Sequence, residues 1–347
     1  MKILYLDFLY PMGHIRQNKK YISLLSNIAK VYVICEKNRY TDLPSEVEII
    51  ENSKLRIRDG QIATRVDSLK AMIISAIEAK KIKPDYIFIS SYDTIMFTIG
   101  RLFFSNNQKL FLLQHSNIDE LASIVKKALF KSYVKSVNLV VFENFIKDYL
   151  LENFKLNSER VFILPHQLNQ NSINECKKKY HCVGLSFSND EDVIAEIIDI
   201  EKREDLLKKQ GCKVILKSKI SEFDNGFLKV FKGYLDNEKF NEYIDNSISI
   251  YMPFSSSFRY RMSGTLMDAL SNDKILLGSN IPIINYYSSK YPSVCIVINS
   301  VEDFFTHVCT IKDDSRDELI KDFEQFRYDH SEENVEIALK KIFRIDK

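Results

Sequence analysis

The feature that most constrains this chain is a regular alternation of short apolar runs with longer segments of helical period. Lys2–Phe8, Val31–Cys35, Val47–Ile50, Tyr86–Ser90, Lys109–Leu113, Leu139–Phe142 and Arg160–Leu164 each read as a buried strand. Between them, Ile15–Ala29, Ile62–Ile82, Thr94–Phe104, Leu121–Ser136 and Asn144–Asn153 carry apolar residues at three- and four-residue spacing. Such alternation predicts a parallel, doubly wound α/β sheet with helices on both faces. An Asn- and Lys-rich segment without apolar period follows, and then the pattern resumes. Strands are expected at Cys182–Phe187, Lys213–Leu216, Phe227–Phe231, Ile248–Tyr251, Lys274–Leu277 and Val294–Asn299, with helices at Glu191–Gln210, Asn237–Asn246 and Val301–Thr310. A length of 347 residues exceeds what one core usually serves. The expected organisation is a domain over 1–166, a linker over 167–180, a second domain over 181–315 and a helical tail over 316–347. Two doubly wound domains are expected to face a cleft in which a ligand touches both.

Composition removes several classes of function. Lys and Arg number 49 against 47 Asp and Glu, a formal charge of +2, so the basic excess of a dedicated nucleic-acid binder is missing. No run approaches the roughly 20 apolar residues of a spanning helix. The apolar N-terminus MKILYLDFLY is interrupted by Asp7 and has no small-residue cleavage site after it, so it reads as the first strand. The six cysteines form no CxxC pair and no His/Cys zinc spacing. Reduced, buried thiols in a cytoplasmic protein are the expectation.

In doubly wound sheets ligands collect at the carboxyl ends of the strands. In the first half the polar tips there are Gly13-His14, Ser90–Asp93 and His115–Asn117. In the second half the stretch 249–285 stands out. It runs from a strand through the loop Ser255–Met262, with Arg259 and Arg261, into a helix opened by Ser263-Gly264-Thr265, then a further strand, with Gly278-Ser279-Asn280 read as a turn. A helix N-terminus presents free amides and partial positive charge, which suits phosphate. An ordinary capped helix with solvated arginines is the alternative. The helix around Ser123–Ser136 sets Lys127, Lys131 and Lys135 four residues apart beside apolar bulk. It reads either as a contact for an anionic membrane surface or as a solvated face.

The segments GCKVILKSK, FLKVFKGYLDNEKFNEYIDNSISIYMPFS, the stretch that follows it as far as CIVINSVEDF, FLLQHSNIDE and FENFIKDYL…RVFILPH stand out together with the order of all these elements. In those segments and that order the chain resembles the GT-B glycosyltransferases, and within them the family-4-like enzymes of bacterial surface-polysaccharide synthesis. The resemblance implies two Rossmann-like domains, an N-terminal one for the acceptor and a C-terminal one for a nucleotide sugar, with a C-terminal helix crossing back to the first. It implies transfer of a hexosyl group from a nucleotide-diphosphate sugar to a glycan or lipid-linked acceptor, with retention, without a metal or other cofactor, in the cytoplasm or at the inner face of the cell membrane. On the donor side it implies Ser263, Gly264 and Thr265 for phosphate and Asp268 for ribose.

The sequence departs from the family in two places. Tyr260 stands where the first of two glutamates is expected, and 187–192 lacks the usual basic pair. Arg261, Lys217 and Arg259, in that order, are the cations left to neutralise the diphosphate. Asp190-Glu191-Asp192 comes near a metal-binding acidic motif but reads as the first turn of a helix. If the transfer inverts, a general base is needed, and His115, His14, Asp93 and Asp119 are the candidates. Gly13, Asn117 and Asp119 are expected on the acceptor side, and His166 at the hinge. The competing classes are another two-Rossmann sugar-nucleotide enzyme, such as an epimerase or a pyruvyl or glycerophosphate transferase, and a sugar-binding protein without catalysis.

Overall fold

The computed structural model describes residues 1–9, 14–56, 58, 60–105, 108–168, 178–311 and 317–345. The expected site residue Gly13, Cys176 and most of the expected linker lie outside them. The chain divides into two compact units, Met1–Gln167 with Ser331–Lys347, and Leu168–His330.

The first unit is built from β1 (Lys2–Asp7), α1 (Ile15–Ser26), β2 (Lys30–Cys35), β3 (Glu48–Glu51), α2 (Gln61–Ile82), β4 (Tyr86–Ser91), α3 (Thr94–Gly100), β5 (Lys109–Leu113), α4 (Ile124–Tyr133), β6 (Asn138–Val141), α5 (Asn144–Phe154) and β7 (Val161–Ile163). Its strands pair all in parallel in the order β3-β2-β1-β4-β5-β6-β7. After their first residue, β1, β2 and β4 are buried throughout, as continuous apolar runs covered on both faces must be. The strand order reverses between β1 and β4, which is where a doubly wound sheet opens a crevice.

The second unit runs β8 (Tyr180–Gly184), α6 (Glu191–Glu204), α7 (Leu206–Gln210), β9 (Val214–Lys217), β10 (Phe223–Asp224), β11 (Leu228–Phe231), α8 (Asn237–Asp245), β12 (Ser247–Met252), α9 (Gly264–Ser271), β13 (Ile275–Ser279), α10 (Pro282–Lys290), β14 (Cys295–Ile298), α11 (Val301–Thr310) and α12 (Asp317–Asp329). The sheet order is β10-β11-β9-β8-β12-β13-β14, parallel except for the antiparallel edge pair β10–β11. Its switch point lies between β8 and β12. Gly184 at the end of β8 is required there: a Cβ would sit 2.9 Å from Leu216 Cδ2 and 3.0 Å from the Tyr251 carbonyl oxygen.

Several elements differ from the sequence expectation. The helix read over Glu191–Gln210 is two helices, because Asp205 takes a left-handed conformation at φ 51°. The buried Glu201 carboxylate accepts from Leu207 N at 2.8 Å and restarts the chain as α7. The turn expected at Gly278-Ser279-Asn280 leads directly into α10, which opens on Pro282 and buries Ile283, Ile284 and Tyr287. Proline at a first helical position loses no hydrogen bond. The basic segment around 121–136 is α4 flanked by 3-10 turns at Asp119–Ala122 and Val134–Ser136.

The helical tail divides between the units. In the second, α12 lays Phe326 against Tyr291, and Asp329 accepts from the Tyr291 hydroxyl at 2.7 Å. In the first, the last helix α13 (Glu332–Phe343) inserts Phe343 among Tyr86, Phe88 and Phe111, and Gln167 donates to Glu332 at 3.1 Å.

Candidate functional site

In the first unit the carboxyl edge gathers polar groups around the β1–β4 switch. Asp7, the last residue of β1, is buried and accepts from the Ser91 hydroxyl at the end of β4 and from Asn18 Nδ2 at 2.9 Å. Asn18 also donates to Tyr40 Oη at 3.0 Å and accepts from Tyr5 Oη at 2.8 Å. A carboxylate this deep needs such donors, and here they fix it at the mouth of the crevice.

His14 and His115 come together beside this network. Their rings stack with centroids 4.1 Å apart and planes inclined by 25°. His115 then meets the edge of Phe142 at 5.1 Å, and Phe142 meets His166 at 5.3 Å. Burial holds the His14 imidazole below its ordinary pKa, and Asp7 partly opposes that shift. Burial and the neighbouring His14 and His166 push His115 well down, and burial pushes His166 down to about 4. All three are neutral near pH 7. Among the described residues, His14 Nδ1 and His115 Nε2 are buried ring nitrogens without a hydrogen-bond partner. Neutral imidazoles with such nitrogens can accept a proton or a substrate hydroxyl hydrogen bond.

The other expected residues of this unit have partners inside the fold. Asp93 caps α3, accepting from Ile95 N and Met96 N at 2.9 Å each, and pairs with Arg65 at 3.4 Å. Asn117 is buried and donates to the Tyr92 carbonyl at 3.0 Å. Asp119 lies half-buried in the 3-10 turn after β5.

In the second unit the carboxyl edge is tied together by Asn189. Its Nδ2 donates to the carbonyls of Gly184 and Lys217 at 2.9 Å each, and its backbone bridges to Phe254. The ends of β8 and β9 and the loop after β12 therefore share one edge. Asp190 caps α6 through Asp192 N at 3.1 Å, with Glu191 and Asp192 in the first turn. On the same edge, Ser263 caps α9 by accepting from Leu266 N at 3.4 Å. Gly264, the first residue of α9, is exposed, and a Cβ built there would meet nothing within 4 Å. The opening turn of α9 thus presents bare backbone.

Three cations surround this edge. The Arg261 guanidinium lies over the Phe258 ring at 4.1 Å, and Arg259 Nε donates to the Ser256 carbonyl at 2.8 Å. Lys217, the last residue of β9, is buried, with Nζ 3.1 Å from the Phe187 ring centroid and 5.1 Å from that of Tyr234. Burial lowers its pKa. Thr265, Asp268 and Tyr260 are half-buried on or just before α9. Among the described residues, no three His, Cys, Asp or Glu side chains gather as a metal site, and no helix is long and apolar enough to cross a membrane.

No protein-family model matches this chain, and no curated protein matches it. Solved structures match it along its whole length. A glycosyltransferase from Rickettsia africae aligns over 99% of this chain and 98% of its own, at a TM-score of 0.60 and 15% identity. Phytolacca americana UGT2, in complex with UDP-2fluoro-glucose and pterostilbene, aligns over 99% of both chains at 0.60 and 10% identity. A putative UDP-N-acetylglucosamine 2-epimerase from Listeria monocytogenes aligns over 99% of this chain and 96% of its own at 0.62 and 10% identity. The chain has the GT-B fold. That fold hosts more than one chemistry among its neighbours, so the reaction has to be argued from this GT-B chain's own side chains.

Some relevant residues of this GT-B chain carry no motif. Asp7 is visible in sequence only as the charge that breaks an apolar strand, and Asn189 only as a loop residue before an acidic triplet. Phe187 and Tyr234, whose rings lie 4.5 Å apart over Lys217, are far apart in the chain. Only the sheet order brings them together.

Proposed function

We propose that this protein is a glycosyltransferase that moves a hexosyl group from a nucleotide-diphosphate sugar to a glycan or lipid-linked glycan acceptor in cell-surface polysaccharide synthesis. The observation that carries the reading is the opening of α9, a Ser263-capped helix with bare backbone at Gly264 on the carboxyl edge of the second sheet. In this reading the second unit is the donor domain. The amides of Ser263, Gly264 and Thr265 hold the diphosphate, Asp268 holds the ribose, and Arg261, then Lys217 and Arg259, balance its charge. As the anomeric C–O bond breaks, charge grows on the departing phosphate oxygen, and fixed cations and amides stabilise it more than the ground state. These groups of the chain, rather than a metal, are proposed for that role.

The first unit is the acceptor domain, with Gly13, Asn117 and Asp119 around the acceptor and Asp93 holding the start of α3. Transfer is proposed to retain configuration, the acceptor proton leaving with the diphosphate and the His14–His115 pair contacting sugar hydroxyls. The proposal places the enzyme in the cytoplasm, at the inner face of the membrane through Lys127, Lys131 and Lys135. A panel of nucleotide sugars incubated with acceptor glycolipids, with release of nucleoside diphosphate and the anomeric configuration of the product both measured, tests it. An inverted product would instead make His14, near Asp7, or His115 the base.

One specific observation favours a second reading. The Listeria monocytogenes protein described as a putative 2-epimerase matches at a TM-score of 0.62, and the same donor edge would serve an epimerase. Conversion of a nucleotide sugar in the absence of any acceptor would establish that alternative.

A further inference from the structure

The candidate sites above use the carboxyl edges of the two sheets, and the amino edge of the first sheet carries a hollow of its own. Where β4, β5 and β6 begin, beside the end of α13, an open cavity of about 510 Å³ lies within the first unit. Its floor is aromatic. The Tyr86 ring, at the start of β4, meets Phe111 edge-on at 5.7 Å, and Phe111 meets Phe162 at 5.7 Å. Tyr86 and Phe162 are only half-buried, which leaves ring surface open to the cavity.

The wall of the cavity is cationic. Lys109, Arg160 and Arg344 line it, all three exposed, against a single lining acid, Glu159. Arg160 also lines a smaller hollow of about 200 Å³ beside it, where Lys135 and Lys155 add two more cations. Among the described residues, none of these five cations is ion-paired. Lys109 Nζ lies 5.3 Å from the centre of the Tyr86 ring. Cations are ordinary beside helix C-termini, and Arg160 serves one of them by donating to the Lys135 carbonyl at 2.6 Å. That bond uses one of the five guanidinium N–H groups, and a helix dipole calls for no ring-floored cavity. Like charges around a cavity repel until an anion comes between them. A phosphate there would take charge-assisted bonds, two at once from an arginine, and a planar group attached to it would cover the rings. β4 and β5 are six and five residues long. At about 3.3 Å per residue, that sets the cavity roughly 15–20 Å from the candidate acceptor edge.

We propose that the amino edge of the first sheet is a second ligand site, for a small organic phosphate with a planar ring system, such as a nucleotide. Arg160, Arg344 and Lys109 hold its phosphates, and Tyr86 and Phe162 its ring. The site rests on none of the donor or acceptor assignments. Arg344 ends α13, so an occupied site ties that helix to the strand starts and stabilises the unit.

The test is isothermal titration of the full chain with ATP, beside thermal unfolding. A saturable binding phase is expected that weakens with added salt and raises Tm with ATP concentration. It should survive Arg261→Ala, which removes a candidate donor cation. Arg160→Glu with Arg344→Glu should weaken it at least about tenfold, and so should Lys109→Glu, which leaves the bond to the Lys135 carbonyl in place. Pyrophosphate should bind about fivefold more weakly or worse, since it leaves the rings uncovered. No saturable phase, a phase that both variants retain, or one that Arg261→Ala removes would overturn the proposal. So would pyrophosphate binding as tightly as ATP. UDP or GDP binding that persists without the ATP phase would overturn this site alone, and the ATP phase without UDP or GDP binding would leave it standing while the donor reading fell.

Discussion

His14 lies flat against His115 at the carboxyl edge of the first sheet, their ring centroids 4.1 Å apart. Two imidazoles can sit this way only while at least one is neutral, and their surroundings keep both so. Burial lowers His14 and His115 below the ordinary 6.5, and His166 to about 4.

A pH dependence of stability follows, with a definite sign. Between pH 6.5 and about 4 the unfolded chain binds protons that the native histidines refuse, so stability rises with pH in that window. The contribution is fully present above pH 6.5 and is lost as the pH falls towards 4. Tm should hold from pH 7.5 to about 6.5 and then fall towards pH 5, and His166→Asn should flatten part of that slope. A Tm independent of pH across this range would remove the half-buried neutral cluster from the account.

Gly264→Ala separates ligand contact from folding. A Cβ at this position meets nothing within 4 Å, so the fold should tolerate it and Tm should stay at the wild-type value. If phosphate rests on the first amides of α9, the added methyl group stands in its way, and UDP or GDP affinity should fall about tenfold or more. Calorimetry beside thermal unfolding reads both effects. Unchanged nucleotide affinity would free this helix end of the role.

Arg261→Ala should reduce turnover by about a hundredfold or more, the usual loss when one preorganised stabilising group is removed. Its guanidinium packs over the Phe258 ring at 4.1 Å, so a small fall in Tm is expected with it. Arg261→Lys should rescue little, because a single ammonium does not reproduce a two-pronged contact. Steady-state kinetics on the three proteins decide this, and normal turnover by Arg261→Ala would reassign the cation.

Gly184→Ala tests the packing of the second sheet. The new methyl group would sit 2.9 Å from Leu216 Cδ2 and 3.0 Å from the Tyr251 carbonyl oxygen, so β8 and β12 must separate. A loss of about 1–3 kcal/mol is expected, measurable by urea unfolding. A neutral result would mean that this strand pair is looser than the close approach implies.

The fold was legible because its strands are buried on both faces. Runs such as Ile3–Leu6 and Ile275–Leu277 have no surface to offer water, and their spacing by helices leaves little but a parallel sheet. What the sequence hid was local. Asp205 turns the chain left-handed without a glycine to announce it, and Pro282 opens α10 where a turn was expected. The pairing of His14 with His115 was hidden more deeply. Each histidine stood at a strand tip, but only the adjacency of β1, β4 and β5 makes the two tips meet. Lys217 is a similar case, since its cover by Phe187 and Tyr234 depends on where β8, β9 and β11 end.

The central claim is that the second unit holds a nucleoside diphosphate at the opening of α9. Isothermal titration of the wild-type chain with UDP and with GDP tests it most directly. Saturable binding of one of them is predicted, at about one nucleotide per chain and weakened about tenfold or more by Arg261→Ala. Failure of both nucleotides to bind at millimolar concentration would contradict it.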